Sequence, residues 1–261
     1  MAATQSDNRK SANVDREAPG AAPTHHLSEE LLLDYAAGVT DEAVGVLIAT
    51  HLTLCPVCRA RADQLDALGG VMMDRLTPSP LSEDAFDRLM ARLDADAPGD
   101  DAPLRHDIDM RAPGGGRDGR GGDDDALMSG GGASDAVLPR VLQRYVPARV
   151  EDIDWTPIGL GVRRFDLSIT GRSRATMLYV PAGRAVPQHT HEGNEYVLVL
   201  QGAFTDCCGH FGRGDVGIAD SDLDHRPVAE LGQDCICLAV TDGPLRLTGL
   251  LGRAFNRFVK F

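Results

Sequence analysis

Five of the eight histidines, two of the six cysteines and one glutamate of this chain fall into two separate quartets: His26, His51, Cys55 and Cys58 near the start, and His189, His191, Glu195 and His225 far downstream. The first set offers two thiolates and two imidazoles, which suits a closed tetrahedral Zn²⁺. The second offers three imidazoles and a carboxylate, which suits Zn²⁺, Fe²⁺ or Mn²⁺. Two donor sets of different chemistry, so far apart in the chain, predict two domains.

Composition sharpens that division. Between Asp94 and Asp135 the chain is rich in Gly and Asp and nearly free of aromatic and β-branched residues, with 11 Asp against 4 Arg. This stretch supplies −7 of the formal net charge of −13 and cannot bury a core, so it is expected to be a flexible acidic linker. The expected organisation is a disordered extension over 1–24, a helical domain over 25–95, a linker over 96–136 and a β domain over 137–261. The acidic balance argues against a protein that grips phosphate backbones, so no direct nucleic-acid partner is expected. No run approaches the ~18 apolar residues of a membrane span, and 1–24 lacks a signal-peptide core, which predicts a cytoplasmic protein with no membrane partner. The six cysteines come in close pairs, Cys55/Cys58, Cys207/Cys208 and Cys235/Cys237, a usage that fits a reducing compartment better than a disulfide framework.

The N-terminal domain reads as four short helices. Ser28 caps the first, with Glu29 and Glu30 in its first turn and Gly38 as its stop. The second starts at Thr40 with Asp41 and Glu42 and carries Val44, Leu47, Ile48 and His51 on one face. The third starts at Cys55 with Pro56 in the first helical position and is expected to end at Gly69-Gly70. Cys55 and Cys58 then flank a helix N-terminus, where unpaired N–H groups favour a thiolate. The fourth has Ser82 as its cap and an apolar stripe of Phe86, Leu89, Met90 and Leu93, a candidate partner-binding face or else a face packed on the other helices. The spacing His51-x3-Cys55-x2-Cys58 brings three ligands across one helix-to-helix turn. The fourth is His26 or its neighbour His25, with His26 preferred.

From Val137 onward the pattern is one of short β-rich runs, 162–169, 175–181, 195–200 and 235–240, separated by Gly, Pro and Asp turns, as in a sandwich or jelly roll. His189 and His191 lie two apart on a strand and point to one face. Glu195 opens the next strand and His225 must come from a later one. Cys235 and Cys237 share a strand face too. A bond between them would be strained, so oxidation to a sulfenic acid is the easier chemistry, and two small core residues the plain alternative.

The stretch Gly183-x5-His189-x-His191-x3-Glu195-x6-Gly202 matches the first cupin motif at every position, and the second cupin motif is kept at Gly214 and His225 but replaced at Asp220, Asp222 and Ala229. With a helical H…H-x3-C-x2-C domain ahead of it, the chain resembles the ChrR-type zinc-binding anti-sigma factors. The resemblance implies an all-α anti-sigma domain of about four helices and a C-terminal all-β cupin. It implies two zinc ions per chain, one on each quartet, and an extracytoplasmic-function sigma factor as partner, wedged away from RNA polymerase by the helices. It further implies a cupin that answers singlet oxygen and related oxidants, with Cys235 and Cys237 in the place of a late-strand cysteine pair that takes part. It implies no enzymatic activity. Two other readings stand beside it: a metal-dependent cupin dioxygenase or isomerase with an accessory helical module, and a redox switch centred on Cys55 and Cys58.

Overall fold

The structure, a computed structural model, describes residues 22–95 and 138–248. The expected linker over 96–136, nearly all of the expected extension over 1–24 and the tail from 249 onward lie outside the described residues.

Four helices form the N-terminal half: α1 (Glu29–Ala36), α2 (Glu42–Leu54), α3 (Pro56–Asp74) and α4 (Ala85–Ala95). The Ser28 hydroxyl accepts from the Leu31 N–H to cap α1, and Gly38 leaves it at φ +69°, a conformation glycine adopts without Cβ strain. Asp41 caps α2 by accepting from Ala43 N–H. Cys55 caps α3, with its sulfur accepting from Cys58 N–H and Pro56 following it. Three boundaries differ from the sequence reading. Helix α2 begins at Glu42 and not at Thr40, because Asp41 takes the cap position. Helix α3 runs through Gly69-Gly70 to Asp74, because neither glycine takes a positive φ and good helix formers flank both. Helix α4 begins at Ala85, since the Ser82 hydroxyl accepts from the Arg88 guanidinium instead of capping.

The C-terminal half is all-antiparallel. Among the described residues two 3₁₀ turns, Leu142–Arg144 and Val150–Asp152, are followed by eleven strands. These are β1 (Thr156–Gly159), β2 (Val162–Asp166), β3 (Arg174–Val180), β4 (His189–His191), β5 (Glu195–Gln201), β6 (Phe204–Asp206), β7 (Gly209–Phe211), β8 (Val216–Ala219), β9 (Val228–Ala229), β10 (Cys235–Thr241) and β11 (Leu245–Leu247). The main sheet has the order β1-β2-β3-β10-β5-β8, and β11-β4 and β7-β6-β9 form two smaller sheets. Helices first, then a rolled antiparallel β domain, is the two-domain architecture expected.

The halves do not stand apart. Strand β10 is buried on both faces: Cys235 and Cys237 pack inward with Val199, Phe204 and Phe211, while Ile236, Leu238 and Val240 pack outward into the cluster that holds Val46, Leu47 and Ile48 of α2. Helix α2 thus lies across β3, β5 and β10 and is buried nearly all round, as a helix apolar on every face must be. Polar clasps rim this contact. Asp41 Oδ2 accepts from the backbone N–H groups of Arg172 (3.0 Å) and Ser173 (3.3 Å), and Tyr145 donates its hydroxyl to Glu42 (3.0 Å). The apolar side of α2 is what joins the two halves.

Candidate metal centres

The first quartet forms where two chain segments meet. The turn between α2 and α3 supplies His51, Cys55 and Cys58, and the segment before α1 supplies His26. All four donor atoms lie within 4.8 Å of one another, with His26 Nδ1 3.3 Å from Cys55 Sγ. His25 turns the other way, stacking 4.4 Å from the Phe211 ring and lying 3.4 Å from Asp215, so His26 is the histidine that joins the cluster.

The donor chemistry fits a cation. His51 Nδ1 must donate to the Gly214 carbonyl (2.8 Å), which leaves its buried Nε2 as a lone pair with no hydrogen-bond partner. Burial holds His51 below the ordinary histidine value and keeps the ring neutral, as a ligand must be. Burial, helped by the neighbouring Cys55, pushes the Cys58 thiol up to about 11. Without a cation, burial thus favours the neutral thiol at Cys58. A bound Zn²⁺ deprotonates a coordinating thiol outright.

The second quartet sits inside the β domain. His189 and His191 face inward from β4, Glu195 opens β5, and His225 is held to His189 by paired backbone hydrogen bonds of 3.0 Å. All four are buried. Glu195 Oε2 lies 3.0 Å from His191 Nε2, 3.6 Å from His225 Nε2 and 3.9 Å from His189 Nε2. His189 donates from Nδ1 to the Pro187 carbonyl (2.8 Å) and His225 from Nδ1 to Asp206 (2.9 Å), so the two Nε2 lone pairs confront each other at 3.1 Å. His191 has no hydrogen-bond partner at either ring nitrogen, its approach to Glu195 being one of proximity without bonding geometry. Converging lone pairs around one carboxylate call for a cation at their centre. Burial opposes ionisation of Glu195, yet the three histidines hold its carboxyl well below the usual range. Burial would lower His225, and the negative charges of Glu195 and Asp206 beside it overcome that to raise it.

The remaining residues singled out from sequence divide by exposure. Cys235 and Cys237 are free and buried, with sulfurs 3.4 Å apart. The bond to Cys235, reinforced by burial, raises the Cys237 thiol well above its ordinary value. Phe86, Leu89, Met90 and Leu93 all lie exposed along α4, and Phe86 is 70 % exposed. Asp206, Pro187 and Gly214, which orient the ligands, were not foreseen. Gly214 alone had a sequence signal, as the first position of the second cupin motif.

Comparison with known proteins assigns the chain to a family. The ChrR cupin-like domain family matches residues 143–246. The chain is 43% identical to the anti-sigma-E factor ChrR of Cereibacter sphaeroides over 236 residues, 90% of this chain and 98% of that protein. A crystal structure of Rhodobacter sphaeroides SigE in complex with the anti-sigma ChrR aligns with a TM-score of 0.64 at 42% identity, covering 84% of this chain and 98% of the other. These likenesses favour a regulator over a cupin enzyme, and the chain belongs to the ChrR family of anti-sigma factors.

Proposed function

We propose that this chain is a cytoplasmic anti-sigma factor that sequesters an extracytoplasmic-function sigma factor through its helical half and releases it under oxidative stress, singlet oxygen included, sensed by its cupin half. The observation that carries the reading is the unpartnered apolar surface of the helices. Leu68, Val71, Met72 and Met73 on α3, then Leu76, then Phe86, Leu89, Met90 and Leu93 on α4 are all exposed. A series this long on a small helical unit marks a protein-binding surface. The family relationship and the solved SigE complex of the related ChrR support a sigma factor as what covers it.

In this reading two zinc ions serve one chain. His26, His51, Cys55 and Cys58 hold the first, which supplies folding energy to helices too small to be stable alone. His189, His191, Glu195 and His225 hold the second, in a cupin whose buried Cys235 and Cys237 lie on the strand beside Glu195. No single helix among the described residues is long and apolar enough to cross a membrane, in keeping with a cytoplasmic partner. The test is co-expression of the full chain with the extracytoplasmic-function sigma factors of its own genome. One of them is expected to copurify in a stable complex and to dissociate when F86D and L89D are introduced together; copurification of none would remove the basis of the reading.

A further inference from the structure

The β6–β7 hairpin turns on two adjacent cysteines. Asp206 pairs with Gly209 across the ladder, which leaves Cys207 and Cys208 as the two residues of the turn itself, both exposed and both free. Their sulfurs lie 4.0 Å apart. The Asp206 carboxylate lies beneath them, 4% exposed, with Oδ1 accepting from Cys208 N–H at 2.8 Å and Oδ2 accepting from His225 Nδ1 at 2.9 Å. One donor atom from each of Asp206, Cys207 and Cys208 falls within 4.8 Å of the other two. Cys208 also lines the cleft that Glu195 and His225 line.

We propose that Asp206, Cys207 and Cys208 form a third, solvent-open site that captures a thiophilic divalent cation. The sulfur separation suits it. Metal–sulfur bonds of about 2.3 Å to atoms 4.0 Å apart subtend an angle of about 120°, near tetrahedral, so the thiols need little motion to bridge a cation. Closing a disulfide would instead draw the sulfurs together by about 2 Å across a single peptide unit. Two thiolates and one carboxylate, with the remaining positions left to water, make a soft and exchangeable site, unlike the two buried quartets. Asp206 gives the site its consequence. The carboxylate that would bind the captured cation is the one that fixes the ring of His225, so capture at the hairpin reaches the cupin quartet through one side chain.

That consequence rests on reading the cupin half as a sensor, whereas cation uptake by the hairpin does not. The experiment is a Cd²⁺ titration of the fully reduced, zinc-loaded full chain under a phosphine reductant. Bound cadmium and released zinc are counted together, and thiolate-to-cadmium absorption is followed. The wild type is expected to bind one cadmium more than the zinc it releases, with new thiolate absorption. C207S/C208S, which keeps both quartets, is expected to lose that increment while retaining its zinc and its complex with the sigma factor. An increment that persists in C207S/C208S, or cadmium uptake matched throughout by zinc release, would overturn the site. Loss of the sigma complex in the variant would count against it as well, by showing that the hairpin serves the fold.

Discussion

His51 donates its Nδ1 proton to the carbonyl of Gly214, 2.8 Å away and 163 residues along the chain, so a histidine of the helical quartet is oriented by a turn of the cupin. Around this bond the halves are stitched together. Thr24 and His25 donate their backbone N–H groups to Asp215 (2.6 and 2.8 Å), and Val216 N–H donates to the His25 carbonyl (3.2 Å). The segment that supplies His26 is thereby pinned to the β7–β8 turn. That turn is thus bonded to His51 directly and to the segment of His26 through its neighbours, two of the four residues of the first quartet.

Gly214 is the most sensitive point of this junction. It sits at φ +90°, and a Cβ there would come within 2.6 Å of Pro23 Cγ. G214A is expected to cost about 2 kcal/mol of stability from backbone strain and displacement of the 23–26 segment. It should also weaken zinc retention by the first quartet roughly 10-fold, as loss of an orienting partner does. Urea unfolding and chelator competition on the purified variant measure the two effects.

Asp41 makes the junction pH-dependent. Burial is the largest single influence and opposes its ionisation, but the N–H groups of Ser173, Arg172 and Ala43 together prevail and hold its carboxyl below the ordinary value of 3.8. A carboxylate depressed on folding stabilises the protein fully above its unfolded value, and that stabilisation is lost as pH falls through the lower folded one. D41A is therefore expected to be less stable than the wild type by about 1 kcal/mol near neutrality through loss of the α2 cap. The difference should shrink toward zero on acidification below about pH 4, and paired denaturation curves across that range check it.

Both quartets were legible because their spacing is set by local geometry: a two-residue strand repeat for His189 and His191, and one helix-to-helix turn for His51, Cys55 and Cys58. The junction was not, although its signs were present. The run Cys235–Val240 is apolar at every position and not alternately, which marks a strand covered on both sides. The segment 43–49 is likewise apolar all round. Neither sign says what covers it, since that pairing depends on tertiary packing. Asp206 was unreadable for the same reason, as an acidic turn residue gains its role only when β6 brings it beside His225.

Asp206 then yields its own prediction. D206N keeps the size of the side chain but removes the charge that fixes the His225 tautomer. Metal retention by the cupin quartet is expected to fall roughly 10- to 100-fold, with the first quartet unaffected. Metal analysis after graded chelation separates the two, because the first quartet shares no hydrogen bond with Asp206.

Loss of a donor from the first quartet is expected to have a larger effect. Cys55 is both a donor and the N-cap of α3, fully buried. C55S is expected to lose one zinc per chain and, with it, the order of the helical half. Since α2 covers the cupin sheet, Ile236, Leu238 and Val240 become accessible at the same time. Binding of a hydrophobic dye, together with a fall in helical circular dichroism, reads this outcome; an intact helical signal without zinc would contradict it.

The most direct test of the account is transcription in vitro by RNA polymerase carrying the sigma factor that copurifies with this chain. Added in equal amount to that sigma factor, the full wild-type chain is expected to abolish transcription from its promoter, while the folded F86D/L89D chain leaves it untouched. Undiminished transcription in several-fold excess of wild-type chain, or equal repression by the variant, would contradict sequestration through the exposed helices.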